Sequence, residues 1–377
     1  MVPMKKKFLK ALLITMLGSV FLLVGCGKKT EPNMNELTLP VETEEEPEVE
    51  EELPEVNLHE GERQDLLTGQ WVPEETAKQR PMAVMIGNTV DALPQYGIGE
   101  ADVLYECPVE GGLTRLMAIF SDYTKAEKIG SVRSCRLYFA YFAKEYDAMY
   151  THFGQAVYAL DFLNSDQIDN LSGLDGSISS TFYRDSSRKA PHNAFTSPQG
   201  LDEGIATKNY RTEYDEEYTG HFLFADPDED KIVLDGADAA VMRPGYPIDK
   251  PWFVYDKDTD TYKRFQYKQA HIDGANNKQL SFTNVIFQNM DYEVIDQKGY
   301  LEFNTVGTGT GKYFTGGKVV DITWKKEDIN SPAIFYDASG AQLKMNPGKT
   351  CVCIIETASV DNISIYASEN EFEAPQP

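Results

Sequence analysis

"ADVLYECPVEGGLTRLMAIFSD", residues 101–122, holds two alternating apolar runs joined by Glu-Gly-Gly. Alternation with period two reads as a pair of strands, and a glycine pair suits the tight connection between them. Upstream, "PMAVMIG" (81–87) is a continuous apolar run of strand length, followed by the turn-rich "NTVDALPQYGIGE" (88–100). Downstream, residues 134–146 place Leu137, Ala140 and Tyr141 at helical spacing. "AMYTHF" (148–153) then reads as a strand and "AVYALDFLN" (156–164) as a helix. This order predicts an α/β (α+β) N-terminal domain with a central sheet over residues 73–218.

Residues 219–357 have a different character. "FVYDKDTDTYKRFQY" (253–267), "TNVIFQ" (283–288), "KYFTGGKVVDITWKK" (312–326) and "KTCVCIIE" (349–356) are β-rich, separated by glycine and aspartate turns, with little helical periodicity. They predict a mostly antiparallel β domain. "GTGTGK" (307–312) lacks the length and the Ser or Thr of a phosphate loop and reads as a hairpin connection. Residues 358–377, ending in "SENEFEAPQP", read as a disordered acidic tail.

The N-terminus assigns a compartment. "MKKKFLK" (4–10) is a basic flank, and "ALLITMLGSVFLLVG" (11–25) is an apolar run too short for a comfortable bilayer span. "LVGC" (23–26) matches the bacterial lipobox, so residues 1–25 are expected to be removed and Cys26 to carry acyl chains such as palmitate. The expected location is the extracytoplasmic face of the cell membrane, held through the lipid anchor. Residues 26–72, with "VETEEEPEVEEELPEVNLHEGE" (41–62), read as an extended, disordered stalk, because dense like charge and proline oppose packing.

The net charge of -25 divides into -7 up to residue 62 and -18 beyond it. A body this acidic is a poor partner for nucleic acid or for anionic lipid headgroups. Besides Cys26 there are Cys107, Cys135, Cys351 and Cys353. The last two alternate on one strand face, too far apart for a relaxed bridge. A chain of this length buries a core without staples. The expectation is four buried thiols, with a Cys107–Cys135 disulfide as the alternative.

Against that acidity, "KIGSVRSCR" (128–136) sets Arg133 and Arg136 at the mouth of a helix, with Ser134 between them. Arg115 lies on the preceding strand, and His152 follows in "THFGQ". Strand ends and first helical turns are where α/β proteins place ligands. Arginines hold phosphate or carboxylate bidentately. Arg115, Arg133, Ser134, Arg136 and His152 are therefore candidates for an anion pocket. An ion-pair network with Asp102, Glu106 and Glu110 accounts for the same residues equally well. His192, in "RKAPHNAFTS", reads as loop packing, with a second binding loop as the alternative. His271 and Asp273 read as a turn. No metal-ligand spacing, nucleophile elbow or phosphate loop occurs, so no cofactor is expected beyond a possible divalent cation on the three acids.

"RPMAVMIGN" (80–88), "LPQYGIGEADVLYE" (93–106), "EGGLTRLMAIF" (110–120) and "IGSVRSCR" (129–136) resemble the YerB family of bacterial lipoproteins. "AHID" (270–273), "NVIF" (284–287), "GKVVDITWKK" (317–326) and "NPGKT" (346–350) resemble that family's C-terminal domain. The resemblance covers about residues 80–357 and implies a two-domain surface lipoprotein. It departs from the family pattern at Gly87, Cys135 and Cys351, and it supplies no activity. A topology-level likeness to the LytR-CpsA-Psr phosphotransferases, which attach polymers to peptidoglycan, rests on Asp102, Arg133 and Arg136. Three readings follow. One is a receptor for an anionic envelope ligand such as a wall polymer. A second is an interaction module for another envelope protein, presenting Trp252, Tyr255, Tyr262 and Trp324. The third is a metal-assisted phosphotransferase acting on lipid-linked precursors, using Asp102, Glu106 or Glu110.

Overall fold

The computed structural model describes residues 58–374. The predicted signal segment, Cys26 and most of the predicted stalk lie outside the described residues. In the first half, Met82–Gly87 (β1), Val103–Pro108 (β2) and Thr114–Phe120 (β3) are followed by the helix Leu137–Lys144 (α1), then Met149–His152 (β4) and Asn170–Ser172 (β5). The second half contributes Val241–Arg243 (β6), Trp252–Asp256 (β7), Thr261–Gln266 (β8), Asn284–Met290 (β9), Gly307–Thr315 (β10), Lys318–Lys326 (β11), Thr350–Glu356 (β12) and Ser364–Tyr366 (β13).

The predicted hairpin forms as β2 and β3, in register from Val103 opposite Ile119 to Pro108 opposite Thr114. It sits at the middle of one sheet that runs β11-β10-β9-β12-β2-β3-β1-β4-β5. The first half is thus an α/β domain around a mixed sheet, and the second is mostly antiparallel. One parallel pairing, β12 with β2, joins them. β12 lies between β9 and β2 and is parallel to both, with Cys351 beside Leu104 and Cys353 beside Glu106.

Strand alternation sorts the core into two layers. Met85, Tyr105, Cys107, Met117, Ile286 and Val352 face one side, where Tyr138, Phe139 and Phe142 of α1 cover them. Val84, Ile86, Leu104, Leu116, Val285 and Cys351 face the other. There they meet Met242, Phe253 and Tyr262 of a second sheet built on β6, β7 and β8. All four described cysteines are free and buried, so Cys107 and Cys135 form no bridge.

Several local expectations are corrected. The stalk ends earlier than predicted, because Glu62–Gln64 pairs with Trp71–Pro73 and Leu67 is fully buried. The tail is ordered well past residue 358. β13 pairs with β6, and Phe372 packs on Trp252 and Tyr366. "GTGTGK" is strand rather than connection: it opens β10, where a side chain at Gly309 would run into the Trp324 indole and the turn falls at Gly316-Gly317. Helix α1 begins at Leu137, three residues later than predicted, because the preceding segment is held by strand hydrogen bonds. Trp252, Tyr262 and Trp324 are buried in the packing, so they form no exposed aromatic face.

A buried ionic cluster ties the halves together on the α1 side. Lys326 Nζ of β11 lies 2.5 Å from Glu145 Oε1, just after α1, and Ala333 N donates to Glu145 Oε2. His221 packs against Tyr146, Phe222 and Phe335 beside them, edge-on to both phenylalanines. Its Nδ1 is 3.4 Å from Glu145 Oε2, yet neither ring nitrogen makes a hydrogen bond. Glu145 is already committed to Lys326. Burial, and then the Lys326 charge, push the His221 pKa down to about 3. The unfolded chain, with a pKa near 6.5, therefore binds this proton more readily than the folded one. The stability is fully present above pH 6.5 and falls as pH drops toward 3. Denaturant melts at pH 7.5, 6.5 and 5.5 are expected to lose about 1.4 kcal/mol per pH unit for each such histidine below 6.5. His221→Phe is expected to make that slope shallower by one proton; an unchanged slope would contradict this assignment.

Candidate functional site

The C-terminal end of β1 is prised away from β4. Met82–Val84 pair with Met149–Thr151. From Met85 onward, residues 131–135 take β4's place. Gly87 N donates to Ser131 O at 3.0 Å, and Arg133 N to Met85 O at 2.9 Å. On the far side, Phe153 N donates to Arg133 O and Cys135 N to Gly154 O, both at 2.9 Å. The wedge is held behind by Val132 N donating to Ala194 O, and by pairing of Ile129–Gly130 with Phe195 and Thr196. A backbone bonded on both edges cannot swing its side chains away, so the arginines of "SVRSCR" are fixed where the parallel strands part.

Alternation brings a third arginine to the same face. Arg115 stands directly opposite Gly87 of β1 and Cys107 of β2. A Cβ on Gly87 would meet Arg133 Cγ at 3.0 Å, so the missing side chain is the space through which Arg133 passes. Arg115 Nη1 donates to Ser134 O at 2.5 Å, and Arg133 Nη1 to Pro191 O at 2.9 Å. Arg136 is held bidentately by Glu110, Nε to Oε1 at 2.5 Å and Nη2 to Oε2 at 2.7 Å, and lies 5.0 Å from the Tyr300 ring centre.

Among the described residues, no carboxylate comes within ion-pair distance of Arg115 or Arg133. Burial, then repulsion from Arg136 and Arg133, depresses the Arg115 pKa to about 10. Burial and Arg136 depress Arg133 in the same way. For Arg136, burial pulls the value down, but the Glu110 hydrogen bonds outweigh it and leave it raised. Three guanidinium groups thus share one carboxylate.

The other candidates have different fates. Ser134 Oγ donates to Phe153 O, and the buried His152 ring is taken up by Gly154 O at 2.9 Å and Asn170 Oδ1 at 3.2 Å. Both hold the wedge and neither points a free polar atom at the arginines. Asp102 lies at the start of β2 and accepts from Ser121 N and Oγ at 2.8 Å. Five strand residues, about 17 Å, separate it from the level of Arg115. Glu106 faces the opposite side of the sheet from Arg115. There its Oε2 accepts from Arg264 Nη2 at 2.7 Å, with both side chains fully buried. Thr114 Oγ1 and Asn88 Nδ2 donate to its Oε1 and also reach Asp249 Oδ2. Burial, then Glu106, raises the Asp249 pKa well above the usual carboxylate range. Only Glu110 joins the arginines, so the three acids do not assemble as one metal or acid-base set.

The sequence reading passed over Ser131 and Thr89, and it took His192 as loop packing with a binding loop as the alternative. Ser131 has no exposed surface and its Oγ has no partner in the chain. The buried Thr89 Oγ1 and His192 Nδ1 are likewise unpartnered. The usable signal for Ser131 was its spacing: two positions before Arg133 in an extended segment, it shares that residue's face. His192 comes near only through the pairing of residues 194–196 with 129–130. It feels the Arg133 charge, which together with burial lowers its pKa.

The ion pairing predicts unequal roles for neighbouring arginines. Arg136→Ala strands a largely buried Glu110 and is expected to cost on the order of 3 kcal/mol. Arg133→Ala loses one hydrogen bond, worth about 1 kcal/mol, and relieves like-charge repulsion, so stability should change by less than about 1 kcal/mol. Urea denaturation of the two variants checks this; equal losses would make Arg133 a structural cation.

Comparison with known proteins matches this architecture. Residues 67–211 match the N-terminal domain, and residues 243–352 the C-terminal domain, of a protein family of unknown function, DUF3048. YerB of Bacillus subtilis (strain 168), which carries a lipoprotein designation, is 29% identical over 304 residues, covering 79% of this chain and 88% of YerB. The crystal structure of YerB protein from Bacillus subtilis superposes with a TM-score of 0.71 at 28% identity, covering 81% of this chain and 99% of that one. Taken with the shared motifs and the two-part sheet, these matches make the chain a member of the YerB-type two-domain family.

Proposed function

We propose that the protein is a receptor for an anionic ligand of the cell envelope, held at the extracytoplasmic membrane face by acylation of Cys26, and that the ligand sits on Arg115 and Arg133. The observation that carries this reading is the pair of guanidinium groups left without a carboxylate in a chain of net charge -25. Arginines that served only the fold would be expected to have recruited acids, as Arg136 and Arg264 do. Keeping like charges together at a buried site is unfavourable. An anion that enters supplies the missing charge, and partial burial strengthens its charge-assisted hydrogen bonds. A wall polymer or an envelope protein bearing such a group is the partner this chemistry fits.

The interaction-module reading loses its proposed surface, since three of its four aromatics are buried. The phosphotransferase reading loses its set of acids: Asp102 and Glu106 are engaged away from the arginines, and Glu110 is taken up by Arg136.

Calorimetric titration of the full chain in detergent with sulfate and with inorganic phosphate, at fixed ionic strength, tests the seat. Hydrogen bonds to a charged group are worth about 1.5–3 kcal/mol. Arg133→Ala and Arg115→Met are therefore each expected to weaken both anions at least tenfold. Lys263→Ala, on the second sheet and paired with Asp256, should bind like the parent. Undiminished binding in Arg133→Ala would remove the site.

A further inference from the structure

Two unpartnered buried polar atoms belong to residues beside Arg133, Ser131 and His192, and a third, Thr89 Oγ1, follows two residues after the Gly87 that Arg133 crosses. A Cβ on Gly87 would sit 3.2 Å from Ser131 Oγ and 3.0 Å from Arg133 Cγ, which places that hydroxyl beside the Arg133 stem. Thr89, two residues beyond Gly87, leaves its hydroxyl unused by the short helical turn it precedes. His192 follows Pro191, whose carbonyl receives Arg133 Nη1. The loop carrying it is clasped down by Arg188, which donates to Ala92 O and Pro94 O. Two hydroxyls and a ring nitrogen, from three separate segments that meet around Gly87 and Arg133, thus have no hydrogen-bond partner among the described residues. Buried polar groups are otherwise almost always paired, so orphans gathered at one place point to a partner outside the fold.

Resting on the anion reading above, we infer that the ligand group is a terminal phosphoryl dianion, a phosphate monoester, rather than a carboxylate or a phosphodiester. Charge is the first argument. Arg115, Arg133 and Arg136 against Glu110 leave two positive charges, which a monoester with close to two negative charges at neutral pH matches and a singly charged group does not. Donor count is the second. Arg115 and Arg133 each spend one Nη1 on a backbone carbonyl and keep further N–H groups, and Ser131 and Thr89 add hydroxyls from different segments. A carboxylate or a diester presents two unsubstituted oxygens, whereas a terminal phosphoryl presents three. Thr89, Ser131 and His192 then act as specificity residues, and the arginines supply general anion affinity.

The test is titration of the full chain with methyl phosphate, dimethyl phosphate and acetate, followed by calorimetry and ³¹P NMR. The parent is expected to bind methyl phosphate at least tenfold more tightly than either of the others. Ser131→Ala and, independently, Thr89→Val are expected to erase most of that preference while leaving dimethyl phosphate affinity within about twofold. Two sites are used so that a folding defect in one does not decide the outcome. Equal affinity for the mono- and diester in the parent, or a preference intact in both variants, overturns the phosphoryl assignment. If Arg133→Ala still abolishes all binding in that case, the arginine seat stands without it. Absence of binding by all three probes overturns the seat and this inference together.

Discussion

The backbone of Ser131–Cys135 occupies the hydrogen-bonding edge that β1 and β4 would otherwise offer each other, and the rest of the site depends on that substitution. Parallel strands that stay paired to their ends leave no room for a side chain between them. Here Met85 and Gly87 of β1 bond to the wedge, and the wedge bonds in turn to residues just beyond β4. Because both edges are satisfied, the segment is as fixed as a central strand. Arg133 is thereby forced over Gly87, toward Arg115. Ser131, on the same face, is carried with it. Ser134 and His152, read from sequence as ligand groups, instead secure the wedge.

The opposite face of the same strands is closed by charge rather than left open. Glu106 and Arg264 are fully buried across the seam between the two halves. Asn88, Thr114 and Asp249 complete the network, and His271 and Gln95 extend it. Removing one partner of such a pair costs about 3–5 kcal/mol, because the other stays buried and charged. Together with the parallel pairing of β12 to β2, this network makes the two matched family domains share one sheet. The contrast with the arginine side is chemical: Glu106 and Arg264 neutralise each other, while Arg115 and Arg133 do not.

Much of this was legible in sequence, for local reasons. β1 to β4 are apolar or alternating runs bounded by turn residues, and the spacing of Cys351 and Cys353 placed them on one face. Arg115, Arg133 and Arg136 stood out because cations are scarce in so acidic a chain. What was not legible depends on pairing between distant segments. β12 is apolar on both faces, and nothing within it tells that residue 350 lies beside residue 103. Glu106 looked available because its partner Arg264 lies in the other half. His192 reaches Arg133 only because residues 194–196 pair with 129–130. The final residues, acidic by composition, were read as a tail, yet Phe372 finds an aromatic site on Trp252 and Tyr366.

The central claim is that the wedge holds two cations that the fold itself leaves without a counter-charge. Thermal unfolding of the full chain in phosphate and in chloride, at matched ionic strength, measures this directly. A ligand that binds only the folded state stabilises it by about 2.7 kcal/mol at a hundredfold excess over its Kd. The predicted result is a phosphate-dependent rise in Tm that saturates in the parent. In Arg133→Ala only the small, unsaturating rise that phosphate gives any protein should remain. The same rise in both proteins would mean that the arginines are already neutralised by the fold, and would contradict the account.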